Sequence, residues 1–321
     1  MNEKFFSQFI DSVYNQKDGQ IQIHNLLVKT RDKTFFHSFT DPNQARDVRS
    51  ISKTVLTVAL GLVMRLADEG KYPRITENTY IYPILEDAIS ITRTDNLSKL
   101  KKVQIKHLLT HTIGYGDVLL MRGDIEGKDP YSLLNYTLNY PIIYEPGEHY
   151  LYSNAGFYLL SAVLEHFLKE DLTAFLSREL FQPLGISSFT WEKYGDYVAG
   201  ATRLWLKPRD LLAFGELLLR DGEIKGRQII SKNWLRKMTR KHIRTKDVDT
   251  AGAIFRRYAY GYGLWLPKKD SFFFGHGTDG QILVILPEME AIIVTQAEQP
   301  DIKPIENIVN ELVLSLYQMG N

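Results

Sequence analysis

No cysteine occurs among the 321 residues. Disulfides, thiolate metal ligands and a cysteine nucleophile are thereby excluded, while the redox compartment stays open. An excess of one charge is missing too: 39 Lys+Arg against 38 Asp+Glu leave a formal net charge of +1. No long basic run interleaved with aromatics occurs either, so nucleic acid is not expected as a partner. Long hydrophobic runs are also lacking. The longest, residues 55–64, is too short to cross a bilayer and breaks at Arg65, so no membrane span is expected. The N-terminus has no uninterrupted apolar core and no small-residue cleavage site; it does not read as a signal peptide, and a cytoplasmic location is expected. With 12 prolines, 44% hydrophobic and 24% charged residues, the chain suits a folded enzyme large enough for one domain with an insertion, or two domains.

What is present has clear periodicity. Phe5, Phe6, Phe9, Ile10, Val13 and Tyr14 repeat at helical spacing and predict an amphipathic first helix packed on the fold. Residues 21–28 and 34–39 are β-branched and aromatic around the polar 29–33, which reads as a hairpin. A helix over the 55–64 run should end near Asp68-Glu69-Gly70. Residues 71–200 read mostly as helices and loops, with helices over 155–168 and 172–181, the second stopped by Pro183-Leu184-Gly185, and a further helix follows over 210–219. Strands are expected over 260–266, 271–274, 281–286 and 291–295, with a turn at Pro267-Lys268-Lys269-Asp270 and a last helix over 305–317. The expected fold is α/β of the α+β type, an antiparallel sheet flanked by helices. Residues 1–70 and 200–321 would form the α/β body and 71–199 a mainly helical region.

Four motifs carry chemistry. In Ser50-Ile51-Ser52-Lys53 a hydroxyl and an amine lie three residues apart, on one face of the first turn of the expected helix. A serine there ordinarily caps the helix, but a lysine one turn on can act as its base if burial removes the lysine's charge. Ser98-Lys99-Leu100-Lys101 fits the same S-x-x-K pattern in a polar stretch that would leave Lys101 solvated and charged, so context favours Ser50. Tyr152-Ser153-Asn154 precedes the 155–168 helix. Its plain reading is a helix start capped by Ser153 or Asn154; in the alternative, the Tyr152 hydroxyl moves the serine proton and Asn154 offers its amide to an acyl chain. Gly275-His276-Gly277-Thr278-Asp279-Gly280 matches G-x-G-x-x-G, yet a β-branched strand rather than a helix follows, which argues against a dinucleotide loop. His107 and His111 are four apart but lack the acidic residue of a zinc hydrolase helix, so no metal is expected there, nor any other cofactor. G-x-S-x-G is absent.

S-x-x-K, then Y-x-N, then a His-Gly-Thr segment by a strand resembles the penicillin-recognising serine hydrolases. The chain is most similar to the branch of class C β-lactamases, D-alanyl-D-alanine carboxypeptidases, D-aminopeptidases, family VIII esterases and 6-aminohexanoate-dimer hydrolases. Ile105-Lys106-His107-Leu108-Leu109-Thr110-His111-Thr112-Ile113-Gly114, Pro146-Gly147-Glu148, Phe181-Gln182-Pro183-Leu184-Gly185 and Tyr260-Gly261-Tyr262-Gly263 also resemble stretches of that family. The resemblance implies a β-lactamase/transpeptidase-like fold and a serine hydrolase that forms an acyl-enzyme. Ser50 would be the acylated nucleophile, Lys53 its partner and Tyr152 the proton carrier. Asn154 would contact the acyl side chain, and His276, Gly277, Thr278 and Asp279 would bind substrate, with the N–H groups of Ser50 and Asp279 as oxyanion hole. His276-Gly277-Thr278 stands where that family carries K-T-G, and a neutral histidine anchors a carboxylate less strongly than lysine. An ester, amide or peptide is therefore the expected small-molecule substrate. A class C-like β-lactamase and a non-catalytic penicillin-binding sensor are the alternatives.

Overall fold

The computed structural model describes residues 1–15, 21–245, 256–269 and 271–320. Its frame is an eight-stranded antiparallel sheet in the order Ile243–Arg244, Ala259–Tyr260, Trp265–Leu266, Phe273–Gly277, Gln281–Leu286, Ala291–Ala297, Ile23–Lys29, Thr34–Ser38. The two chain ends meet inside it, with Leu27 opposite Val294 and Val28 opposite Ile293. Side chains alternate along these strands. Leu26, Val28, Ile282, Val284 and Ile293 join one apolar cluster with Phe9, Val13, Val309 and Leu312 of the terminal helices Glu3–Asn15 and Lys303–Gly320. Leu27, Leu283, Ile285, Ile292 and Val294 join another with the helices Ile51–Asp68 and Pro208–Leu219. Both faces are covered, which is why 281–286 reads as an unbroken apolar run.

The helix Ile51–Asp68 lies between this sheet and the helical region and is buried nearly all round. Its surroundings need two glycines. A Cβ on Gly61 would fall 2.0 Å from Cδ1 of Trp234, and one on Gly263 (φ +71) would fall 2.3 Å from Oγ1 of Thr57. The helical region centres on Ala155–Leu168, packed against Ile105–Leu109 and Leu133–Asn139. A small sheet pairs Arg46–Asp47 with Leu204–Leu206, and the latter with Thr190–Trp191.

Three expected elements differ. The strand over 260–266 is instead a hairpin in which Tyr260 pairs with Trp265, because Gly261 and Gly263 turn the chain against Met238 O and the Ser50 helix. The helix over 172–181 narrows to Leu172–Leu176 and then widens into a π turn, Ser177–Phe181, whose i to i+5 spacing lets Leu176 and Phe181 both face the core. The strand expected over 271–274 runs Phe273–Gly277, so His276 and Gly277 end a strand, and Thr278–Gly280 is the turn into Gln281–Leu286. Of the turn expected at 267–270, Asp270 lies outside the described residues.

Candidate active site

Ser50 stands at the N-cap of Ile51–Asp68, but its hydroxyl makes no capping bond. Lys53, one turn on, is 0% exposed. Its Nζ lies 3.1 Å from Ser50 Oγ, 2.8 Å from Asn154 Oδ1 and 3.2 Å from the Ala201 carbonyl. No carboxylate is among these partners, and burial brings the Lys53 pKa down to about 7. Two of the partners can only accept, whereas the Ser50 hydroxyl can also donate. That set suits a neutral amine, with two N–H donors and one lone pair for the serine proton.

Tyr152 is hydrogen-bonded to Ser50, and burial, partly offset by that bond, pushes its phenol up to about 12. The phenol therefore keeps its proton near neutrality. The Tyr152 ring is fixed by a stack on Trp265 at 5.5 Å, an edge contact with Tyr260 at 5.9 Å, and Lys53 Nζ at 4.8 Å from its centroid. Asn154 is engaged at both ends, since its Nδ2 donates to the Leu120 carbonyl at 2.8 Å while its Oδ1 receives Lys53. In the resting protein its amide holds the lysine instead of standing free for an acyl chain. Ser153, not Asn154, satisfies the helix start, accepting from Ala155 N–H at 3.1 Å.

The Phe273–Leu286 hairpin brings the third motif to the same cleft. A Cβ on Gly277 would meet Val48 O at 2.8 Å, so glycine is what allows the hairpin to approach the Ser50 segment. Asp279, left-handed at φ 65, pairs with Arg49 at 2.9 Å and with Arg122 at 3.6 Å. Arg49 also pairs with the buried Asp47 at 2.8 Å, and Asp47 Oδ1 accepts the N–H groups of Arg49 and Arg203. His276 faces Glu306 of the C-terminal helix, with Nε2 and Oε1 2.9 Å apart, and its pKa is lowered by burial against the raising effect of that contact. Asp47, Arg49, Ala201 and Glu306 are site neighbours that no motif marks; Ala201 and Glu306 arrive from distant stretches of chain, while Asp47 and Arg49 lie within three residues of the serine.

Two recesses meet at Ser50. One of about 230 Å³ is lined by Arg49, Arg122, Asn154, Tyr194 and Arg203. The other, about 400 Å³, is lined by Tyr152, Arg257, Trp265, His276 and Ile302. Met121, Thr278 and Asp279 border both. Of the loops flagged above, 121–131 contains the short helix Arg122–Ile125, and in 239–258 residues 246–255 lie outside the described residues.

The second S-x-x-K copy is elsewhere. Ser98 and Lys101 are exposed on a short helix, with Lys101 Nζ 5.3 Å from the Tyr82 ring. His107 Nδ1 accepts from Gln104 N–H, and among the described residues no group of three or more His, Cys, Asp or Glu side chains could hold a metal.

A sequence model described as Beta-lactamase matches residues 26–316, nearly the whole chain and every residue gathered at Ser50. The chain belongs to the β-lactamase family. No curated protein matches it. Solved structures with the β-lactamase/transpeptidase-like fold do. A penicillin binding protein from Bacillus halodurans matches with TM-score 0.70 at 18% identity, covering 95% of this chain and 99% of that one. The D-amino acid amidase from Ochrobactrum anthropi, complexed with L-phenylalanine amide, matches with TM-score 0.69 at 16% identity, covering 96% and 99%. An octameric penicillin-binding protein homologue from Pyrococcus abyssi matches with TM-score 0.73 at 17% identity, covering 98% and 78%. At such identities these likenesses concern the fold. That family is one of β-lactamase-like serine hydrolases. No helix among the described residues is long and apolar enough to cross a membrane.

Proposed function

We propose that this protein hydrolyses a small ester, amide or peptide through an acyl-enzyme on Ser50. The observation that carries the reading is Lys53: fully buried, without a carboxylate, 3.1 Å from the Ser50 hydroxyl and with its pKa lowered to about 7. In the proposed sequence Ser50 Oγ attacks the acyl carbon while its proton passes to Lys53 Nζ. The tetrahedral oxyanion is held by the N–H groups of Ser50 and Asp279, each such donor being worth about 3 kcal/mol. Collapse breaks the bond to the leaving group, which takes the Tyr152 proton, and Tyr152 regains one from Lys53. Water then attacks the ester, giving its proton to the Tyr152–Lys53 pair, and Ser50 Oγ leaves with that proton.

The leaving group belongs in the recess that Tyr152 lines, since its proton donor must adjoin it. That places the acyl part in the recess of Asn154 and Tyr194. The neutral, Glu306-paired His276 supports esters and amides over β-lactams as preferred substrates. A p-nitrophenyl ester, an amino-acid p-nitroanilide and nitrocefin, each tried with wild type and Ser50→Ala, test the reading. Turnover of the ester and anilide, abolished in Ser50→Ala, is expected. Turnover of nitrocefin alone would instead indicate a β-lactamase, and no turnover would indicate a binding or sensor protein.

A further inference from the structure

Outside the chain Tyr152, Ser50, Lys53, the side chain hardest to explain by packing is His111. It is 4% exposed with a left-handed backbone at φ 56, and its Nε2 is buried with no partner among the described residues. Its ring sits among Tyr152, Tyr260 and Phe157 at centroid distances of 4.4, 4.9 and 5.4 Å. A phenylalanine would fill that aromatic cage with no ring N–H to leave unpaired, and asparagine would suit the left-handed backbone better. Histidine satisfies neither preference.

What the histidine does is grip the chain on both sides of Tyr152. Its carbonyl accepts Leu151 N–H at 2.9 Å, and its Nδ1 accepts Ser153 N–H at 3.4 Å. An accepting Nδ1 places the ring hydrogen on Nε2, so the orphaned donor is the counterpart of the Ser153 bond. Burial pushes the His111 pKa well below its ordinary value, so Nδ1 stays free to accept. His111 lines neither recess beside Ser50, so it does not touch a substrate there, whereas its ring packs on that of Tyr152.

The geometry points to His111 as a positioning residue: its Nδ1 fixes Ser153 N–H and thereby keeps the Tyr152 hydroxyl on Ser50. The inference rests on the reading of Tyr152 as the leaving-group proton donor.

Two variants separate positioning from packing. His111→Phe keeps the ring and loses the acceptor; His111→Asn keeps an acceptor in the place of Nδ1 and loses the ring. In His111→Phe the anilide kcat should fall about 10²-fold, the loss typical of a reacting group displaced by an ångström. The kcat for an activated ester, whose leaving group scarcely needs a proton, should stay within about threefold. His111→Asn should restore the anilide kcat to within about threefold of wild type. Equal losses on both substrates in His111→Phe, or an asparagine variant as slow on the anilide as the phenylalanine one, would overturn the role given to Nδ1. Crystal structures of both variants read the placement directly: a Tyr152 hydroxyl still on Ser50 in His111→Phe contradicts the inference whatever the rates. Wild-type protein that cleaves neither substrate would contradict the catalytic reading, and the two structures would still decide whether His111 places Tyr152.

Discussion

At the scale of single residues, the decisive quantity is the charge on Lys53. An ammonium cannot accept the serine proton, so activity should be lost as pH falls through the lysine pKa. With that value brought down to about 7, kcat/KM for an activated ester should climb about tenfold per pH unit on the acid side and level off above neutrality. A flat profile from pH 5 to 9 would contradict a titrating base. Lys53→Arg keeps a cation that does not deprotonate, so acylation should drop by orders of magnitude in a folded protein, read by ester burst kinetics. Tyr152→Phe removes only a hydroxyl. Its kcat/KM should fall about 10²–10⁴-fold on the anilide and less on the ester, at unchanged Tm, while equal losses would argue against leaving-group protonation. The meeting of Ser50 and Lys53 is legible in the three-residue spacing and the apolar flank, whereas Tyr152 stands out from an ordinary helix start only through the family resemblance. The double engagement of Asn154 and the pairing of His276 with Glu306 are not legible: they depend on residues 34 and 101 positions away for Asn154 and 30 for His276, which only the fold brings near.

At the scale of elements, the Ser50 helix is the axle of the site, and its glycine shows packing overruling propensity. Alanine is favoured over glycine by about 1 kcal/mol inside an exposed helix. At Gly61 the new Cβ would enter the indole of Trp234, a 2% exposed residue whose Nε1 donates to Thr57 O at 3.0 Å. Overpacking costs about 1–3 kcal/mol and the indole has no room to swing away, so Gly61→Ala should lower Tm by several degrees. A raised Tm would show that Trp234 can yield. The helix itself, its glycine stop and the flanking strands are legible from periodicity. The hairpin within 259–266 is not, because Gly261 and Gly263 are required by contacts with Met238 O, Thr57 and Lys53 O, none of them near in sequence.

At the scale of the whole molecule, one sheet holds the site from behind, and its far face packs on the terminal helices. Leu312 is 0% exposed in the cluster between that face and the terminal helices. Leu312→Ala should cost about 2–5 kcal/mol, seen as a fall in Tm, and leave kcat at 25 °C unchanged; an unchanged Tm would mean the terminal helices do not bear on the sheet. Strand-like patterns at both chain ends predict a body built from both, but not that the strands Ile23–Lys29 and Ala291–Ala297 pair directly. Their register, Leu27 on Val294, could not be read from either strand alone, since each is apolar on both faces. The account as a whole stands on Ser50 being the nucleophile. Peptide mapping by tandem mass spectrometry after incubation with a fluorophosphonate tests this most directly. The account predicts a single adduct, on Ser50, with Ser98 unmodified, and an adduct on Ser98 or on no serine would contradict it.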